Sequence, residues 1–143
     1  MKNNNNTSTR KALVLTTSSA YDLVRTGQFN DYVHSGPGVP SQIEDGMDVI
    51  MLVNKKSGTY HGKDNTMAII ATLVKAEPYN GQVDPLSYVV APGESDLVLR
   101  SKWKSYIKLT NIIFENESVV NKLYPGVRKS SIQGGIGYYE GNK

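Results

Sequence analysis

Trp103-Lys104-Ser105-Tyr106-Ile107-Lys108-Leu109-Thr110-Asn111-Ile112-Ile113 carries the chain's one tryptophan into a segment where polar and apolar residues alternate. That is the period of a half-buried β-strand, and Ile112-Ile113-Phe114 ends it. Three apolar runs of strand length stand upstream: Ala12 to Leu15, Val49 to Val53 and Met67 to Val74. The first, ending in Thr16-Thr17-Ser18-Ser19, reads as a central, buried strand that runs into a helix over 20–26, stopped by Gly27. The second and third read as an antiparallel core hairpin, with a turn at Lys55-Lys56-Ser57-Gly58 and an insertion at residues 63–66.

Between these runs the punctuation is dense. Gly36, Pro37, Gly38 and Pro40 forbid helix or central strand and predict a surface loop of fixed shape. Residues 80–95 are rich in Pro, Gly and Asp, with room for a short edge strand at Leu86 to Val90. Ser118 to Leu123 reads as a short helix capped by Ser118 and broken at Pro125-Gly126. The glycine-rich stretch from Ser130 to Gly137 ends in Tyr138-Tyr139, a final strand or anchor. Five or six strands with two or three short helices give an α+β fold built on a curved, partly closed antiparallel sheet.

Composition narrows the function classes. The 143 residues are 38% hydrophobic and 20% charged, the profile of one soluble domain able to bury a core. Residues 1–11, with four consecutive asparagines, predict a disordered lead-in, and residues 12–143 a single domain. No apolar run reaches transmembrane length and no signal-peptide core opens the chain, so a cytoplasmic location away from membranes is expected. With no cysteine and two histidines, disulfides, thiolate zinc and a cysteine nucleophile are excluded, and neither a metal nor another cofactor is expected.

Catalytic patterns are missing. The acids from Asp22 to Asp64 are scattered at spacings that pair none of them on one face. His34, in the Gly/Pro loop, and His61, beside Gly62, could serve as acid and base, but the favoured reading is an exposed histidine and one at a strand start. No serine lies in a nucleophile-elbow pattern. Gly134-Gly135-Ile136-Gly137 lacks the lysine and hydroxyl residue that complete a phosphate loop. A non-enzymatic protein is therefore expected.

Charge points elsewhere. From Arg100 onward, eight Lys or Arg (Arg100, Lys102, Lys104, Lys108, Lys122, Arg128, Lys129, Lys143) face three acids (Glu115, Glu117, Glu140). Such a basic third is either an anion-facing surface or a solvated face. Trp103, between Lys102 and Lys104, is either a core residue or a ring on which a nucleobase stacks while the lysines hold phosphates.

The order of these features resembles the YTH domain and its relatives in the PUA-like superfamily, including EVE domains. The likeness rests on Val14-Leu15-Thr16-Thr17-Ser18, then Gly27-Gln28-Phe29-Asn30, then Gly58-Thr59-Tyr60-His61-Gly62, and finally Ser101-Lys102-Trp103-Lys104-Ser105, and covers about residues 12 to 137. The resemblance implies a PUA-like barrel that binds nucleic acid, DNA or RNA, and encloses one flipped, modified base. N6-methyladenine is the first candidate, and a modified cytosine the second if the loop at 35–40 excludes adenine. It further implies that Phe29 and Trp103 form two walls of an aromatic cage, with aliphatic Val98 where a further family tryptophan would stand. Asn30 would bond the base edge, Thr17 and Ser18 would line the pocket, and Lys102, Lys104, Arg128 and Lys129 would hold phosphates. EVE and YTH-like modules also target modification-dependent restriction enzymes, so partner domains or subunits of such a complex are expected. The alternative from another class is a small hydrolase of the related ASCH group acting on a modified nucleoside, with Lys63 or Lys75 opposing Glu77. A protein-interaction domain with an empty pocket is a third reading.

Overall fold

The computed structural model describes residues 10–17, 30–34, 38–53, 67–83, 104–129, 131–133 and 135–141. They form seven strands: β1 (Lys11–Thr17), β2 (Asp31–His34), β3 (Asp48–Val53), β4 (Met67–Pro78), β5 (Ser105–Asn116), β6 (Ser131–Gln133) and β7 (Ile136–Glu140). One helix, α1 (Glu117–Leu123), and a 3-10 turn (Val127–Lys129) lie between β5 and β6. The strands make a single sheet in the order β2-β5-β4-β3-β1-β7-β6.

That sheet is mixed, which corrects the antiparallel expectation. β1 runs parallel to β3, Ala12 opposite Asp48 through Thr17 opposite Val53, while all other pairings are antiparallel. Some thirty residues separate β1 from β3, ample for the crossover that parallel neighbours require. A signal was present: Ala12 to Leu15 and Val49 to Val53 are continuous apolar runs, the mark of strands covered on both faces, and both are fully buried.

β4 and β5, twelve residues each, form the longest pairing and bend at two bulges. At the first, Asn111 and Ile112 on β5 oppose Ala71 alone, and Asn111 takes φ 54°, a left-handed state that asparagine tolerates. At the second, Val74 is the extra residue on β4. Each bulge flips the alternation by one, so that Ser105, Ile107 and Leu109 point inward before Asn111 and Ile112 after it; likewise Leu73 is followed inward by Ala76.

The bent sheet curls upon itself. Tyr32 on β2, at one end of the strand order, shares a core with Leu13 and Leu15 of β1 and Ile136 of β7, near the other end. Met51, Val53, Ile69, Leu73, Ile107 and Leu109 fill the same interior. The result is a barrel-like α+β fold. Full burial of each such side chain stabilises by about 1.5–3 kcal/mol.

The opposite face of β1, β3 and β4 is covered by α1 and the turn after it. Val120, Tyr124 and Val127 pack with Ala12, Val14, Ile50, Leu52, Ala68 and Tyr139. Asn116, not Ser118, is the N-cap: its Oδ1 accepts from Ser118 N at 3.0 Å. Glu117 in the first turn and Lys122 in the last suit the helix dipole. Tyr124 donates to Asp48 Oδ2 at 2.7 Å; burial, then this carboxylate, pushes its phenol up to about 12. Arg128 pins the assembly to the sheet. Its Nε and Nη2 bond the two Glu117 oxygens at 2.6 and 2.8 Å, and Nη2 also donates to Val53 O at 2.8 Å, satisfying the last carbonyl of β3.

Other boundaries moved by little. Lys11, assigned to the lead-in, opens β1 opposite Glu140, and the glycine-rich end of the chain is a hairpin of β6 and β7. β2 was not foreseen. The helix expected over 20–26, the turn at 55–58, the insertion at 63–66 and the strand at 86–90 lie outside the described residues. Among the described residues no helix is long and apolar enough to cross a membrane.

Candidate functional site: a polar end of the sheet interior

Among the described residues the interior is lined by apolar side chains except at one end. Thr17, His34 and Ser105 are the buried polar side chains among the described residues, at 3%, 6% and 4% exposure. Alternation along each strand turns all three inward: Thr17 follows Leu13 and Leu15, His34 follows Tyr32, and Ser105 precedes Ile107. The fold pairs two of them and brings Thr16, the neighbour of Thr17, up to His34. His34 stands directly opposite Ser105 in the β2–β5 pairing. Across the curl, β2 meets the start of β7, where a Cβ on Gly135 would lie 2.9 Å from His34 Nε2 and 3.1 Å from Thr16 O. Gly135, at φ 84°, is therefore a close-approach glycine as well as a turn residue; its carbonyl accepts from Thr16 N at 2.8 Å.

Burial holds the His34 imidazole below its ordinary range, and a hydrogen bond to the Gly135 backbone opposes that shift. The net effect favours the uncharged form of the ring. Ser105 Oγ has no hydrogen-bond partner among the described residues, an uncommon state for a hydroxyl so deeply placed. The backbone around it is tied down: Lys104 N donates to His34 O at 2.8 Å, and Lys104 O accepts from Tyr79 N at 2.9 Å.

The residues expected at the site fare differently. Thr17 lies at this polar end, buried as a pocket-lining residue would be. Phe29, Ser18, Val98, Trp103 and Lys102 lie outside the described residues. Asn30 is described, with φ 61°, and its amide is already used: Nδ2 donates to Leu109 O at 2.9 Å, while Leu109 N donates back to Asn30 O at 2.9 Å. It clamps the start of β2 to β5, four residues and about 13 Å along the strand from His34. Asn30 thus holds the strand through one amide N–H. Lys104 is exposed beside Ser105. Arg128, expected on a phosphate, has its Nε and Nη2 donors committed to Glu117 and Val53. Lys129 belongs to the adjoining 3-10 turn.

His34 corrects the reading of an exposed loop histidine: it ends a strand and is buried. Sequence reasoning noted His34 without foreseeing its burial, and gave Ser105 no role. The usable signal was the inward parity that each continues, Tyr32 to His34 and Ile107 back to Ser105.

Of the residues named for the hydrolase alternative, Lys75 and Glu77 come together, and Lys63 lies outside the described residues. Lys75 Nζ and Glu77 Oε2 are 3.5 Å apart on β4, with side chains 48% and 35% exposed. Glu77 is held below the ordinary carboxylate range, chiefly by the hydrogen bond from Gln82 and then by Lys75. An ionised, solvated carboxylate is poorly placed for acid–base work. No cluster of potential metal ligands occurs among the described residues. Comparison of the chain with protein-family models, with curated proteins and with solved structures finds no match.

Proposed function

We propose that this is a non-catalytic nucleic-acid reader of PUA-like, YTH/EVE type, which admits one flipped, modified base at the polar end of its curled sheet. One observation carries the reading: the interior turns from apolar to polar at Ser105, two residues after Trp103 in sequence, and at Thr17, where β1 hands over to Ser18. A base extruded from a strand needs this combination of ring faces, an apolar floor and a few hydrogen-bonding groups. Leu15 and Ile107, one inward step deeper than Thr17 and Ser105, supply the floor. In this reading Trp103 and Phe29 are assigned the ring faces, Val98 and Ser18 the pocket lining, and Lys102 and Lys104 the contacts to flanking phosphates. N6-methyladenine is the favoured ligand and a modified cytosine the second, in DNA or RNA. Partner domains or subunits of a modification-dependent restriction system fit such a module.

Titration with matched DNA and RNA oligonucleotides, with and without N6-methyladenine, tests this. Preference for a methylated strand over a salt-dependent background is expected, and Trp103→Ala is expected to remove the preference and leave the background. Equal weak binding to all strands contradicts the proposal, and turnover of a free nucleoside favours the ASCH-like alternative.

A further inference from the structure

We infer that Ser105 is a specificity-determining residue of this site, its hydroxyl reserved for the edge of the inserted base. The inference rests on the reader proposal and adds to it the group that fixes how deep the base goes.

Among the three buried polar side chains, Ser105 alone has no partner within the described structure, although it is 4% exposed and faces the interior. A buried hydroxyl without a partner destabilises the protein that carries it. Alanine would fill the same space without that cost, so a hydroxyl here has a use when something else occupies the interior. Its position suits the edge of a heterocycle. Immediately deeper on the same strand face lies Ile107, then Leu109, so Ser105 is the last polar group before the dry core. A base entering beyond it would bury its ring nitrogens against aliphatic carbon. One stopping level with it meets a hydroxyl that donates to a ring nitrogen or accepts from an amino N–H. His34 stands opposite Ser105 across the β2–β5 pairing, and its burial favours the uncharged form of the ring. The ligand edge that suits a hydroxyl able to donate and to accept mixes donor and acceptor, as in an aminopurine or aminopyrimidine. The exposed Lys104 next in sequence is left for the phosphate outside.

Replacing Ser105 with alanine tests this through two readouts of opposite sign. The ligand-free S105A protein is expected to melt at a higher temperature than wild type, because an unsatisfied buried group is gone. Its affinity for an oligonucleotide carrying one N6-methyladenine is expected to fall about fivefold to tenfold, with the salt-dependent binding of unmodified strands unchanged. A lower melting temperature with unaltered affinity would mean that the hydroxyl is structural, satisfied by a buried water, and would overturn the inference. So would S105A binding as wild type while Trp103→Ala loses the preference, an outcome that leaves the reader proposal standing. If wild type itself prefers no modified strand, the reader proposal fails and the inference with it.

Discussion

The two faces of the curled sheet are finished in opposite ways. On the outer face, α1 and the turn after it bring polar groups that find partners: Arg128 on Glu117 and Val53, Tyr124 on Asp48, Tyr139 on Pro125 O at 2.9 Å. Arg10 adds its guanidinium 5.2 Å from the Tyr124 ring centre. The interior is apolar for most of its length and then ends in a buried imidazole, a close-approach glycine and a hydroxyl with no partner among the described residues. One face spends its polar groups on holding the fold. The other keeps a costly polar group where a ligand can use it, the departure from local optimisation expected of a functional site.

The contrast can be broken most severely at Gly135. Alanine there meets both a backbone conformation unfavourable to a side chain and the crowding from His34 and Thr16 O; a loss of about 3 kcal/mol is expected in denaturant unfolding. If G135A is as stable as wild type, β2 and β7 do not meet as described and the curl is looser. Next is the outer clamp. Arg128→Ala leaves Glu117, whose side chain is 16% exposed, without its bidentate partner, and should cost about 2 kcal/mol. Because the clamp lies on the other face, affinity for a methylated oligonucleotide should hold; a parallel loss of binding would return Arg128 to the phosphate contacts.

The smallest effect sharpens the comparison by pH. His34 has its pKa depressed by burial below the ordinary 6.5, so the unfolded chain takes up this proton before the folded one. Stability from the neutral ring is complete above pH 6.5 and is lost as pH falls from there toward the folded pKa. His34→Gln, neutral at every pH, should flatten the fall in melting temperature below pH 6.5. An unchanged slope would place the acid sensitivity on another group.

How much of this was legible in the sequence depends on what each signal encodes. Periodicity gave β1, β3, β4 and β5, because burial on one or both faces writes itself into the residues of a single strand. Partner choice is written more faintly: β1 pairs in parallel with β3 across a long crossover, and the continuous apolar runs of the two strands say that both faces are covered without naming the neighbour. β2 was hidden because its four residues abut the Gly/Pro loop, and His34 was read with that loop. The cap at Asn116 was missed for a similar reason, since Asn116 and Ser118 are both good capping residues and only the backbone decides between them. At the site, Thr17, Asn30 and Arg128 were all reached by resemblance: Thr17 is buried at the end of β1, while Asn30 and Arg128 also make tertiary contacts, with Leu109 and with Glu117 and Val53, that no local pattern announces.

The most direct test is to locate the modified base relative to the two faces. In the complex with an oligonucleotide carrying a single N6-methyladenine, nuclear Overhauser effects are expected from the N6-methyl protons to Leu15 and Ile107 side chains, with the Ser105 amide among the most shifted. Contacts confined to the α1 face, or methyl protons that touch neither Leu15 nor Ile107, would contradict entry of the base at the polar end.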